Sequence, residues 1–255
     1  MRTRTQKSAL SSRGFSLLEL MVATVLFTLI TGIVFAALMA AQARYKTEKS
    51  LLGSFQQANV AIDQITRDIH ASGYPPAIVY NSAVATVANA NRYALPVAWS
   101  PNYPNAACTI GATCVSPSPW DLILEADLRD GNGVQWIRYQ LQGTTLMRGV
   151  TPKVAGVDPV AATAAPNVMV PYLENVMNNA PAAQIATVRA NYPNMFPGGN
   201  PVPIFTFPPF NGFPQQLPTI HNINVTLIVQ AQDRDPRNTQ VRVATLTGQA
   251  SPVNQ

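Results

Sequence analysis

The chain has 255 residues, of which 47% are hydrophobic and only 11% charged, with a net charge of +5. Arg2, Arg4, Lys7 and Arg13 fall in residues 1–14, which hold no acid. The basic excess therefore belongs to that segment, the remainder is near neutral, and nucleic-acid binding is not indicated. No G-x-S-x-G, P-loop, H-E-x-x-H or G-x-G-x-x-G occurs, so no catalytic motif is present and no cofactor is implied.

From Phe15 to Ala43 the only charge is Glu19 and no proline interrupts. A helix over that stretch is about 43 Å long, more than the roughly 30 Å of a bilayer core. The basic flank before it predicts a cytoplasmic N-terminus, with everything after about residue 44 on the far side of the membrane. A secretory signal fits badly, because its apolar region is only about 7–15 residues long and ends in a small-residue cleavage site. The helix is predicted to continue. Leu52, Phe55, Asn59, Ile62, Ile65 and Ile69 step by threes and fours, making one apolar stripe with a single polar member. Gly73 and then Pro75-Pro76 stop it, so the helix runs from about 15 to 72, near 85 Å. Its first half needs lipid or other apolar helices around it, and its second half needs a globular domain on one face. Glu19 is open to two readings. Its carboxylate either reaches the membrane interface or pairs with a cation of another chain. An α-amino group is the candidate cation, created at Phe15 if the chain is cut after Gly14.

Beyond the helix, residues 81–119 read as a loop region holding Cys108 and Cys114. Two thiols with no flanking histidine make a poor metal site. A local disulfide is expected if the chain leaves the cytoplasm, contributing about 2 kcal/mol. Residues 121–149 read as a three-stranded meander. Leu122, Leu124 and Ala126 alternate in its first strand. In the second, Val134, Trp136 and Arg138 share one face, and Ile137, Tyr139 and Leu141 the other. Residues 150–218 are rich in proline and read as a long loop. There Tyr192, Phe196, Phe205, Phe207, Phe210 and Phe213 either fill gaps over a sheet or form a partner surface. Ile223, Val225, Leu227 and Val229 alternate in a late strand, which turns at "DRDPRN" and returns through "TQVRVATLT". The predicted fold is α+β. The apolar half of a long helix protrudes, and its amphipathic half packs on an antiparallel sheet of roughly four to six strands with long Pro-rich loops.

Asp127, Asp130 and Asn132 resemble a calcium loop only loosely, lacking its ligand order and distal Glu. A hairpin turn is the expected structure there. His70 and His221 have no neighbouring Cys or His and are expected at the surface or a helix end. No metal site and no catalytic residue is predicted.

The run Gly14-Phe15-Ser16-Leu17-Leu18-Glu19-Leu20, behind a short basic leader and before an apolar helix, resembles the type IV prepilin processing site. The resemblance implies removal of leader 1–14 and cleavage between Gly14 and Phe15 by a prepilin peptidase, with N-methylation of Phe15. It also implies extraction from the inner membrane into an extracellular filament. There Glu19 neutralises a neighbour's amine, other pilins are partners, and an inner-membrane assembly platform acts on the chain. Residues 15–43 then form the transmembrane and filament-core half of the helix and 44–73 the amphipathic half. Residues 74–255 form a β-rich periplasmic head. Arg67-Asp68 ahead of Gly73-Tyr74 is similar to the helix exit of PilW-type minor pilins, read physically as a solvated charge pair and a C-cap glycine. The meander is similar to the same proteins and to the J pseudopilin of type II secretion. The resemblance implies a minor pilin at or near the pilus tip that promotes assembly. The alternatives are a type II secretion pseudopilin and a tip adhesin or DNA-uptake subunit.

Overall fold

The computed structural model describes residues 16–76, 91–212, 214–217, 219–232 and 242–252. Two units, Met1–Lys46 and Thr47–Gln255, divide the chain. One helix, α1, spans Leu17–Ala71, close to its predicted extent. Its end has a local cause. Ser72 turns its hydroxyl (2.7 Å) and its N–H (3.2 Å) onto Ile69 O. Gly73 takes φ +79°, which a side chain resists, and donates its N–H to Glu125 O at 2.9 Å.

In the first unit, α1 is exposed from Leu17 through Gln42. Its three threonines there are satisfied by the helix itself. Thr24, Thr28 and Thr31 donate their hydroxyls to Leu20 O, Thr24 O and Phe27 O at 3.0, 3.0 and 2.7 Å. Such internal bonds let a polar residue sit in an apolar medium without an unmet donor.

In the second unit, the buried face of α1 is Thr47, Ala58, Ala61, Ile62, Ile65, Asp68 and Ile69. This corrects the predicted stripe at its N-terminal end. Leu52 is 59% exposed and Phe55 40%. Asn59 is exposed too, its Nδ2 donating to Phe55 O at 3.1 Å. Ala58 and Ala61 take the inward positions instead, because small side chains let the helix lie close to the sheets. The approach is tight at Gly248, where a Cβ would stand 2.8 Å from Ile62 Cγ2.

Two antiparallel sheets share this core, where a single sheet was expected. The first has strands β1 (Val97–Ala98), β2 (Asp121–Asp127), β3 (Val134–Gln142), β4 (Thr145–Pro152) and β5 (Met169–Leu173), paired in that order. The predicted meander is β2–β3–β4, with Leu124 opposite Ile137 and Arg138 opposite Gly149. A two-residue turn at Gly143-Thr144, with Gly143 at φ +60°, joins β3 to β4. The second sheet has β6 (Phe205–Thr206), β7 (Ile223–Gln230) and β8 (Val243–Ala250). The return strand thus starts at Val243; the predicted turn 233–238 and residues 239–241 lie outside the described residues. The stretch after β5 crosses from one sheet to the other, with Val176 N–H donating to Thr144 O and Met177 N–H to Ile228 O. Leu122, Leu124, Ile137 and Tyr139 join Leu227, Val229, Leu246 and the helix residues Ile62, Ile65 and Ile69 in one apolar cluster. Each fully buried large side chain contributes about 1.5–3 kcal/mol.

The proline-rich segment 150–218 is not a bare loop. It holds α2 (Pro159–Thr163), β5, α3 (Ala182–Asn191), a 3-10 turn at Pro197–Gly199 and β6. Pro159, Pro181 and Pro197 stand at the starts of the short helical elements, where no helix bond is lost, and Pro171 lies within β5, an edge strand of the first sheet. α3 covers the second sheet's other face through Ile185 and Val188, against Phe196, Ile228 and Val243. The fully buried Asn178 bonds Val202 O, Thr226 O and Ile228 N at 2.9, 2.8 and 2.7 Å, standing in for a missing strand.

Candidate functional site

Glu19 sits in the first turn of α1. Ser16 N–H donates to Glu19 Oε2 at 2.9 Å, and Glu19 N–H donates to Ser16 Oγ at 3.2 Å. This reciprocal pair is a capping box and settles two otherwise unmet helix donors. Glu19 thus has a local task that the sequence reading missed, although the Ser-x-x-Glu spacing announces it. A carboxylate keeps acceptor capacity beyond one such bond. Gly14 and Phe15, with leader 1–14, lie outside the described residues.

Behind the cap, the apolar surface is continuous. Leu17, Leu18, Leu20, Met21, Phe27, Ile30, Ile33 and Phe35 are all exposed. The most apolar window of α1 has a mean hydropathy of 2.4 and no part of it is buried, so by length and composition the helix can cross a membrane. Left in water, this surface is strongly unfavourable.

Among the described residues of the head, three ion pairs are wholly or largely buried. The first corrects the sequence reading of Arg67-Asp68 as a solvated pair. Arg67 is exposed, but Asp68 is 3% exposed and faces inward with Ile65 and Ile69. Arg148 Nη2 reaches Asp68 Oδ2 at 2.8 Å, Tyr139 O–H donates to the same oxygen at 2.5 Å, and Gln64 Nε2 donates to Oδ1 at 2.8 Å. Burial, then the Asp68 charge, pushes the Tyr139 phenol far above its ordinary 10.0. The spacing of Asp68, three residues after Ile65, is the signal that places it on the buried face.

The second pair is Lys153 with Glu125 at 2.6 Å, both side chains wholly enclosed. Glu125 also receives Tyr103 O–H, Trp136 Nε1–H (3.0 Å) and Leu95 N–H (2.8 Å), and Lys153 donates to Tyr93 O at 2.8 Å. Burial lowers the Lys153 pKa, opposed by Glu125, and raises that of Tyr103 well beyond its ordinary range, with Glu125 adding to the rise. The cluster ties residues 93–103 to β2 and β3. The third pair joins Arg138 Nη2 to Asp121 Oδ2 at 2.5 Å, with Arg138 Nε on Oδ1 at 3.1 Å. Every one of these charges is met by protein partners. The arrangement is that of crosslinks between segments, costly to break at one end.

Cys108 and Cys114 are joined, with Cα atoms 5.0 Å apart. The loop between them folds on itself, Thr109 O accepting from Ala112, Thr113 and Cys114. Asp127 and Asp130 serve the β2–β3 turn. Asp127 Oδ1 accepts Arg129 N–H at 2.8 Å, and Asp130 accepts Asn132 N–H at 3.0 Å and Gln135 Nε2–H at 2.7 Å. Those bonds, Gln135 foremost, lower the Asp130 pKa. Among the described residues no group of three His, Cys, Asp or Glu side chains could hold a metal. His70 is exposed at the end of α1, 2.8 Å from Ser251 O, and His221 stacks on Phe210 with ring centres 4.0 Å apart. Of the proline-linked aromatics, Phe196 and Phe205 fill the core, Tyr192 and Phe207 are half-buried, and Phe210 is 38% exposed. Phe213 lies outside the described residues.

Residues 10–35 match the prokaryotic N-terminal methylation motif. No curated protein and no solved structure matches the chain. The motif supports the type IV pilin-like class, which includes pseudopilins and is structural in function. It implies processing by a prepilin peptidase and assembly with other pilins in general. Motif and apolar helix together are consistent with a membrane-anchored chain of that class.

Proposed function

We propose that this chain is a minor pilin of the type IV pilus. Prepilin peptidase cuts between Gly14 and Phe15 and methylates the new amine, and the mature chain joins the filament at or near its tip to promote assembly. The single observation that carries the reading is the methylation motif at 10–35 running directly into an exposed apolar helix. Before assembly the helix is held by the inner membrane, with the N-terminus cytoplasmic and the head periplasmic, in keeping with the basic leader and the disulfide. In the filament, helices of other subunits replace the lipid. Both surroundings are apolar, so hydrophobicity alone does not choose between them, and specific packing and charge must set the register.

Glu19 supplies that charge. Cutting after Gly14 makes it the fifth residue of the mature chain, within reach of a neighbouring subunit's new amine. An unpaired charge in an apolar bundle is costly, and two opposite ones offset each other. The test is to express Glu19→Ala and compare membrane fractions with sheared filaments. The expected result is normal membrane insertion with at least about a tenfold loss from filaments. Equal incorporation of variant and parent removes the role given to Glu19. Recovery of the parent chain only with a secretion apparatus, and never with pili, shifts the reading to a type II secretion pseudopilin.

A further inference from the structure

β7 lies in the middle of the three-stranded sheet. Its even-numbered residues bond away from β8. Thr226 N–H donates to Ile204 O at 2.8 Å, Gln230 N–H to Asn175 O at 3.0 Å, and Ile228 N–H to Asn178 Oδ1 at 2.7 Å. Its odd-numbered residues therefore bond to β8, where their partners in register are Ala250, Gly248, Leu246 and Ala244. Ala231 N–H, donating to Arg242 O at 2.8 Å, continues the same phase. The alternation turns the main-chain N–H and C=O of Val243, Thr245, Thr247 and Gln249 outward. No other main-chain or side-chain group among the described residues bonds to them.

Among the described residues this edge lacks the usual guards. The strand Val-Ala-Thr-Leu-Thr-Gly-Gln-Ala has no charge and no proline, and Thr245, Thr247 and Gln249 are exposed. Beside it opens a groove of about 480 Å³ lined by Asn191, Tyr192, Pro193, Asn194, Met195 and Thr245. α3 and the chain after it thus cover the outer face of the sheet at Val243 and stop short of the rest of β8.

We propose that the β8 edge binds an extended, uncharged strand of another protein, adding it to the sheet, with an apolar side chain of that strand entering the groove beside Thr245. The row of unmet donors and acceptors sets the occupant's main chain, since only an extended backbone matches its spacing. Tyr192, Pro193 and Met195 set the chemistry of the side chain. A second copy of this chain does not meet that requirement. The β8 residues exposed on the groove's face are Thr245, Thr247 and Gln249, all polar, so a β8–β8 pair leaves the groove unfilled.

The experiment uses the full chain in detergent micelles and a labelled peptide of about eight residues, alternating Thr and Val with one central Leu. Fluorescence anisotropy is expected to show binding on the order of 10 µM. Three changes should each weaken it by at least about tenfold. One is N-methylation of the peptide at the residues facing β8. The second is Thr247→Pro, which removes an edge donor that makes no bond to β7 and so leaves the Tm nearly unchanged. The third is Met195→Asp, which should act on the Leu peptide and spare an Ala-centred one. If Thr247→Pro fails to fold, the N-methyl comparison on the unaltered chain decides. Equal binding of the N-methylated peptide overturns the proposal, as does absence of binding up to about 1 mM. So does disulfide crosslinking of two Thr247→Cys chains through β8 in the absence of peptide.

Discussion

Glu19 and Asp68 are two carboxylates on one helix with opposite surroundings. Asp68 is buried in the head with Arg148, Tyr139 and Gln64 around it. Glu19 stands in an exposed apolar run, with Ser16 as its partner among the described residues. The difference is one of supply. For Asp68 the head provides the cation and the acid is part of the fold; for Glu19 no cation pairs with it among the described residues, and the proposed function gives it one from a neighbouring chain. The same contrast separates the apolar residues, with Ile65 fully buried and Leu52 mostly exposed.

The largest expected effect comes from breaking the buried side of that comparison. Asp68→Ala leaves the Tyr139 hydroxyl and the Arg148 guanidinium without their acceptor, and should cost about 3 kcal/mol in denaturant unfolding of the detergent-solubilised chain. A loss below about 1 kcal/mol means that Asp68 is no more than the solvated charge of the sequence reading. Ile65→Ala and Leu52→Ala form the apolar counterpart. The first should cost about 3 kcal/mol and the second about 0.5 or less, in the same assay. Comparable losses at both positions return the helix face to the predicted stripe.

Replacing Cys108 and Cys114 together with serine should cost about 2 kcal/mol, because the bridge closes a short, self-contained loop. Unfolding of the whole head in that variant contradicts so local a role. The smallest effect near neutral pH is that of the raised phenols of Tyr103 and Tyr139. Above pH 10.0 their unfolded forms lose protons that the folded head keeps, so the folded state binds more protons and stability falls as pH rises. The slope should be about 1.4 kcal/mol per pH unit for each retained phenol. Below pH 10.0 the contribution is fully present. Absorbance at 295 nm should show two of the chain's eight tyrosines ionising only on unfolding. Ionisation of all the phenols in the native protein contradicts the buried network.

What was legible in the sequence follows from range. The helix stop at Gly73 and Pro75-Pro76, the meander and the alternation of Ile223 to Val229 are local signals, and each led to an element that the structure contains. The place of Asp68 was illegible because Arg148 lies 80 residues away and Tyr139 lies 71. Glu125 and Lys153 escaped notice for the same reason. Dense proline hid α2, β5 and α3, elements of only 5, 5 and 10 residues, too short to show a period. At the N-terminus the apolar run and its acid are plain, yet neither reading of Glu19, membrane interface or outside cation, includes the capping bond that it shares with Ser16.

The central claim of the proposed function is that the chain is cut after Gly14 and methylated at Phe15 on its way into a filament, which creates the amine assigned to Glu19. Mass spectrometry of the chain recovered from sheared filaments tests it most directly. The account predicts a mature N-terminal peptide that begins at N-methylated Phe15. A chain that still carries its leader residues, or one cut at another position, contradicts it.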